Sequence, residues 1–396
     1  MHHTDHRRAH IAFLSIPAHG HVNPGLGLVE ALAERGHRTT YANTAEFTSI
    51  VSSAGATPVP YTSLLPSPSD PQQSWPDDPA AAQSLFLDEA MSVVPQLERS
   101  YAGDRPDLIV YDPAAFHALV LGAKWDVPLV QVSPTHVYSA ALAEQFLPIT
   151  TGPEMAAVQR RFEDYFAEQG TDLSYVDISV PRRGIVTIPR AFQYFGDQVP
   201  EQFTFVGPML TDRAFQGGWQ RPDDRPVLVV SLGSAYNRRA DFYRRCLRAF
   251  ADLDWHVLMS VGRGVQPADL GPIPANIEVR QWIPQLAALG SASAFVTHAG
   301  MGGVTEGFYH GVPLVAVPQA ADQFMNADRI TELGLGERAD ADAVEPEQLR
   351  EQVLRVAADP VIRANCTRIR DEVRQAGGVD RAVRIVEDEL RSAGRT

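Results

Sequence analysis

The feature that most restricts the fold is an alternation of short apolar runs with longer amphipathic ones, which begins near the N-terminus, stops, and begins again. "HIAFLSI" is followed by "PGLGLVEALAERG" and then by "HRTTYAN". The middle segment places Leu26, Val29, Leu32 and Ala33 at helical spacing, and Gly36 ends it. Asn23 reads as its cap and Pro24 as its first helical residue. "DLIVYD", "AAFHALVLGAKW" and "VPLVQVSP" continue the pattern, which predicts an α/β fold with parallel strands wrapped by helices. After "FTFVGPML", the segment "TDRAFQGGWQRPDDRP" is rich in Gly, Pro and Asp and reads as a linker. A second strand series follows: "VLVVSLGSAY", "WHVLMSVG", "IEVRQWI", "AFVTHAG" and "VPLVAVP". The last segment, "DRAVRIVEDELRSAG", is one amphipathic helix. With 396 residues the chain is too long for one ordinary core. The expected organisation is a first domain over 1–207, a linker over 208–226, a second domain over 227–379 and a terminal helix over 380–396. In open sheets of this kind, ligands bind beyond the carboxyl ends of the strands.

Charge and composition narrow the partners. The formal net charge is -14 and no basic stripe occurs, so nucleic acid is not an expected partner. No apolar run is long enough to span a bilayer. The apolar stretch after the basic start is short and β-branched, and reads as a first strand rather than a signal peptide. His2, His3 and His6 read as a polar terminus. Cys246 and Cys366 form no metal spacing and suit a reducing, cytoplasmic compartment. Thr62–Pro79 reads as a long surface loop.

The densest cluster of chemistry lies between Trp282 and Asn326. "AFVTHAGMGGVTEGFYHG" is a strand, a glycine turn and a helix. Gly300, Gly302 and Gly303 permit close backbone approach, and the helix N-terminus suits a diphosphate; a tight turn without a ligand is the simpler alternative. The spacing is neither a dinucleotide fingerprint nor a P-loop. His298 ends the strand and points at the same place. Trp282 and Gln285 end another strand in "QWIPQ"; the Trp suits a planar base or a core position. Glu306 suits ribose hydroxyls, or interacts with the helix dipole. Ser234 in "SLGS" offers a hydroxyl to phosphate, while Asp322 and Gln323 suit sugar hydroxyls or turn chemistry. Together these residues make a nucleotide-sugar site.

Such a site leaves an acceptor alcohol unactivated, and a base is needed to take its proton. "SIPAHGHVNP" places two imidazoles at the end of the first strand. His19 is the favoured base. His21, nearer the helix, is the competing candidate and suits turn packing or hydrogen bonding. Asp112, ending "DLIVYD", would fix the other ring nitrogen.

Trp282-Ile283-Pro284-Gln285, His298-Ala299-Gly300, Glu306 and Asp322-Gln323 resemble the signature of family 1 glycosyltransferases. With "AHGHVNP", "SLGSAY" and "FVTHAG", nearly the whole chain resembles the bacterial macrolide glycosyltransferases. The resemblance implies a GT-B fold: two facing Rossmann-like domains, acceptor on the first and donor on the second, with the last helix crossing back. It implies that Trp282 stacks on uracil and that Gln285 and Glu306 hold the ribose. It further implies that His298 and the glycine turn hold the diphosphate, that Asp322 and Gln323 hold the hexose, and that His19 with Asp112 is the catalytic dyad. Where plant relatives carry Asn-Ser after the glycine, this chain has Gly302-Gly303. Backbone N–H groups and Ser234 are therefore expected to carry more of the phosphate binding.

The expected activity is inverting O-glycosyl transfer of a hexose, glucose from UDP-glucose, to a hydrophobic hydroxylated small molecule such as a macrolide. Side activity on phenolics is also expected. The rivals are transfer from a TDP-deoxysugar, a UDP-sugar epimerase, and a binding module without chemistry. No cofactor or metal is expected; the Asp-x-Asp pairs at Asp252–Asp254 and Asp340–Asp342 read as structural. Leu64, Leu65 and Trp75 on one loop, with Val137, Tyr138 and Phe146 on another, are the expected apolar acceptor pocket.

Overall fold

The structure, a computed structural model, describes residues 8–67, 75–76, 78–137, 139–146, 152–210, 218–234 and 236–395. His2, His3, His6 and Tyr138 lie outside the described residues, as does the Phe146 side chain. The chain divides into two compact units: Met1–Thr211 with Ala376–Thr396, and Asp212–Gln375.

The first unit is built on seven strands: β1 (His10–Leu14), β2 (Arg38–Asn43), β3 (Thr57–Pro60), β4 (Leu108–Tyr111), β5 (Leu129–Ser133), β6 (Gly184–Val186) and β7 (Phe203–Phe205). All pair in parallel, in the order β3-β2-β1-β4-β5-β6-β7. Along β1, Ile11 and Phe13 enter one apolar cluster while Ala12 and Leu14 enter another. Both sheet faces are thus covered, which is why its central strands read as apolar runs without polar alternation. β3, with Pro58 and Pro60, sits at an edge, where missing N–H groups cost fewest ladder bonds.

The second unit holds six parallel strands: β8 (Val227–Ser231), β9 (His256–Ser260), β10 (Ile277–Arg280), β11 (Ala292–Thr297), β12 (Leu314–Ala316) and β13 (Gly336–Arg338). Their order is β10-β9-β8-β11-β12-β13. In each unit the chain first winds one way and then returns to the other side of its first strand. The return places β4 beside β1 and β11 beside β8, with Leu14 opposite Tyr111 and Ser231 opposite Thr297. Adjacent crossovers leave in opposite directions at these two points, which opens a crevice at the carboxyl ends of the strands.

The last helix, Gly378–Ser392, packs on the helix Leu26–Glu34 of the first unit. Ala382, Val383, Ile385, Val386 and Leu390 join Leu28, Val29 and Leu32 in one core cluster. Arg35 donates to both oxygens of Glu387 across this interface, at 2.7 and 3.0 Å. Gly27 is the contact residue between this helix and the returning chain. A Cβ there would lie 2.5 Å from the Met209 carbonyl oxygen.

The first helix begins earlier than its sequence suggests. A helical turn already covers His19–Val22, with Ala18 as its N-terminal flank. Asn23–Gly25 forms a 3-10 turn, and the longer helix runs over Leu26–Glu34. Asn23 makes no side-chain cap, and Pro24, which lacks an N–H, marks a break inside the helical segment rather than its start.

Candidate functional site

At the first switch point, the end of β1 is held by a buried polar network. Asn43 Nδ2 donates to the carbonyl oxygens of Ser15 and Ile16, at 3.0 and 3.2 Å. The Tyr61 hydroxyl donates to the Ser15 carbonyl at 3.0 Å, and Ser15 Oγ lies 3.0 Å from the Tyr41 hydroxyl. The neighbouring strand delivers Asp112, whose backbone N–H bonds to Leu14 O at 3.0 Å. Asp112 is buried; its Oδ1 accepts from the Ala114 N–H at 2.9 Å and its Oδ2 lies 2.6 Å from His21 Nδ1.

The dyad therefore pairs Asp112 with His21, which corrects the expected pairing with His19. The early helical turn is the physical reason. Residues two apart on a helix point roughly 200° away from each other, so only one of the two imidazoles faces β4. His19 instead packs its ring 5.0 Å from that of Phe47. Since a carboxylate only accepts, His21 carries its proton on Nδ1 and its basic atom is Nε2. The imidazole is one-third exposed while its carboxylate partner is nearly inaccessible.

The expected acceptor residues divide. Leu64 is exposed, whereas Leu65 and Val137 are buried in the core rather than lining a surface. Trp75 packs against Phe86, ring centroids 5.5 Å apart. The Glu89 carboxylate fastens the start of this loop, accepting from Ser63 Oγ and the Leu64 N–H at 2.7 Å each. Burial pushes its pKa above the usual glutamate value despite those bonds.

At the second switch point, His298 lies between two glycines. A Cβ at Gly233 would fall 2.5 Å from His298 Cε1, and one at Gly300 would fall 2.2 Å from Nε2. Any other residue at either position would displace the ring. Burial pushes the His298 pKa down to about 4, so the imidazole is neutral at pH 7. Gly300 starts the helix Met301–His310 without a side-chain cap. The first N–H groups of that helix, from Met301, Gly302 and Gly303 onward, are thus not taken by a capping side chain. Ser234 is exposed beside Gly233.

Trp282 is 52% exposed, as a base platform requires, and is not a core residue. Ile283 is buried, so its side chain belongs to the core and only its backbone can serve a ligand. Gln285 Nε2 donates to Glu306 Oε2 at 2.8 Å. Glu306 is buried beyond the first helical turn, where the helix dipole gives little reason for a carboxylate. Gln323 commits its Oε1 to its own loop, accepting from the N–H groups of Gln319 and Ala320 at 2.8 and 3.2 Å; only its Nε2 remains to donate. Asp322 is exposed at the start of the helix Gln323–Glu332.

Residues 244–383 match the C-terminal domain of the erythromycin biosynthesis protein CIII-like family. The chain is 43% identical over 394 residues to the oleandomycin glycosyltransferase of Streptomyces antibioticus, covering 96% of this chain and 91% of that protein. The chain belongs to the bacterial macrolide glycosyltransferases of family 1. It is also 37% identical to the NDP-glycosyltransferase YjiC of Bacillus licheniformis, over 97% of this chain and 98% of the other. The crystal structure of the glycosyltransferase of kitacinnamycin matches with a TM-score of 0.88 at 41% identity, covering 97% and 99% of the two chains. The fold of this glycosyltransferase is accordingly GT-B, with two Rossmann-like units.

Two features of the glycosyltransferase site are not legible as motifs. Ala299 and Ala321 adopt left-handed backbone conformations, φ +62° and +53°, each immediately before a residue expected to meet the donor. Alanine there costs on the order of 1–3 kcal/mol, which the surrounding bonds must offset. The Asn43 and Tyr61 bonds beneath the dyad join residues far apart in sequence. Of the Asp-x-Asp pairs, Asp340 Oδ1 accepts from the Asp342 N–H at 2.8 Å and Asp342 pairs with Arg239; at the other pair, the Asp252 backbone carbonyl accepts from Arg350. Among the described residues, no group of three or more His, Cys, Asp or Glu side chains is placed to hold a metal.

Proposed function

We propose that this glycosyltransferase transfers glucose from UDP-glucose, with inversion, to a hydroxyl of a hydrophobic hydroxylated natural product such as a macrolide. The observation that carries the mechanism is the 2.6 Å bond between His21 and the buried Asp112. His21 Nε2 takes the acceptor hydroxyl proton as the oxygen attacks C1 of the sugar. The bond from C1 to the diphosphate oxygen breaks, and UDP leaves with the electron pair. Asp112 holds the imidazole in the reactive tautomer and stabilises the imidazolium that forms. The leaving diphosphate is met by the uncapped N–H groups after Gly300, by the neutral His298 and by Ser234, so no metal is required.

The ribose reading rests on Glu306 and Gln285, which suit vicinal hydroxyls. A site built to bond a hydroxyl discriminates against a donor that lacks it, and thymidine donors lack the 2′-OH. The name of the oleandomycin glycosyltransferase supports a macrolide as the acceptor class. The experiment is a panel of UDP-glucose and TDP-deoxysugars against a macrolide, a flavonoid and a sugar alcohol, with products detected by mass. UDP-glucose with the macrolide is expected to give the highest kcat/KM. A higher value with a TDP-deoxysugar would overturn the donor assignment. Loss of activity with chelator, restored by one divalent ion, would overturn the metal-free mechanism.

A further inference from the structure

Asn326 lies in the first turn of the helix Gln323–Glu332 and is fully buried. Its Nδ2 donates to the Ala299 carbonyl at 2.9 Å and to Asp322 Oδ2 at 3.0 Å. Both amide hydrogens are thereby used, while Oδ1 is buried without a hydrogen-bond partner. The opposite amide orientation would set Oδ1 against a carbonyl and a carboxylate, both acceptors, so the chemistry of the neighbours fixes the assignment. One bond reaches the left-handed Ala299 between His298 and Gly300, in the turn that faces the diphosphate. The other reaches the carboxylate expected to read the hexose. The left-handed Ala321, φ +53°, immediately precedes that carboxylate.

We propose that Asn326 is a positioning residue that locks the diphosphate turn and the sugar-reading carboxylate into one geometry, so that leaving-group stabilisation and hexose selection are set together. A single planar amide fixes the distance between its two acceptors, and no other described side chain bonds to both. The proposal rests on the donor-site reading above. Asn326 itself touches no reacting atom; it acts through Ala299 and Asp322.

The test uses the full chain and the variants Asn326→Ala, Asn326→Asp and Asp322→Ala, alone and combined. Asn326→Asp keeps the shape of the side chain but in its ionised form donates to neither acceptor. The readouts are UDP affinity by calorimetry, kcat and KM with UDP-glucose, selectivity for UDP-glucose over its 4-epimer UDP-galactose, and Tm. Losing a buried bond to a charged group is expected to lower kcat/KM by about 10–100-fold, with UDP binding weakened and the selectivity reduced. In the Asp322→Ala background the same substitution is expected to leave selectivity unchanged and to cost much less activity, because the coupled partner is gone. Full multiplication of the single effects, or a lower Tm with unchanged UDP affinity and selectivity, would overturn the proposal alone. Wild-type protein that does not bind UDP, or Asp322→Ala with unchanged kcat/KM, would overturn the donor-site reading and the proposal with it.

Discussion

The pair at Asp112 shows how one helical turn decides which of two identical side chains does chemistry. His19 and His21 have the same intrinsic pKa and nearly the same position in the chain. What separates them is that the turn starts at His19, which directs His21 to the carboxylate after β4 and His19 to Phe47. General-base catalysis contributes roughly 10²–10⁴-fold, so His21→Ala is expected to lower kcat by that order with UDP affinity retained. His19→Ala, which removes a packing contact, is expected to cost far less. Steady-state kinetics on both variants with one alcohol acceptor decide the matter; near-normal turnover in His21→Ala with a collapse in His19→Ala reverses the assignment.

At the scale of elements, the terminal helix is fastened to the rest of the first unit by an apolar face and by Glu387, which pairs with Arg35. Burial raises the Glu387 pKa, but the hydrogen bond and charge of Arg35, with a further contribution from His37, bring the net value below the ordinary 4.5. A carboxylate with a depressed folded pKa binds fewer protons folded than unfolded. Its stabilisation is therefore full above about pH 5 and is lost as pH falls through the folded value. Arg35 is half exposed, so solvent screens the pair and Glu387→Gln is expected to cost only about 1–2 kcal/mol at pH 7. Thermal melts of wild type and Glu387→Gln should differ at pH 7 and converge as pH falls through the folded Glu387 pKa, below the ordinary 4.5. A gap that stays constant with pH would assign the effect to packing instead.

Over the whole molecule, buried histidines oppose the carboxylates in kind but act in the same direction with pH. His117 is fully buried with neither ring nitrogen hydrogen-bonded, and burial pushes its pKa down to about 3. His298 is depressed to about 4 by the same cause. Between those values and 6.5 the unfolded chain binds protons that the folded chain does not, so stability falls as pH falls through this window. At 1.36 kcal/mol per pKa unit, His117 alone costs about 2 kcal/mol at pH 5. His117→Leu removes the titrating ring and is expected to flatten the loss of Tm between pH 7 and pH 5 without lowering Tm at pH 7. An unchanged slope would mean that His117 titrates in the fold as freely as it does unfolded.

The alternating pattern in the sequence was sufficient for two parallel α/β sheets, because apolar periodicity and glycine punctuation are local properties. It also marked the strands after which the candidate residues come: Asp112 and His298 follow theirs directly, and Trp282, Ser234 and Asp322 lie in the loops just beyond. Local pattern does not contain strand order. Only the folded sheets place β4 beside β1 and β11 beside β8, and so bring Asp112 to a histidine and Gly233 to His298. Nor does it contain helical phase at a boundary. Asn23-Pro24 is a good helix start by residue type, yet the turn begins five residues earlier, and that shift alone exchanges His19 for His21. The same limit hid Asn326, whose partners Ala299 and Asp322 become neighbours only when two loops meet at the end of the sheet. Residue types and their order determined what the site contains; which atoms face one another was decided by packing, because hydrogen-bond geometry depends on distances that sequence separation does not fix.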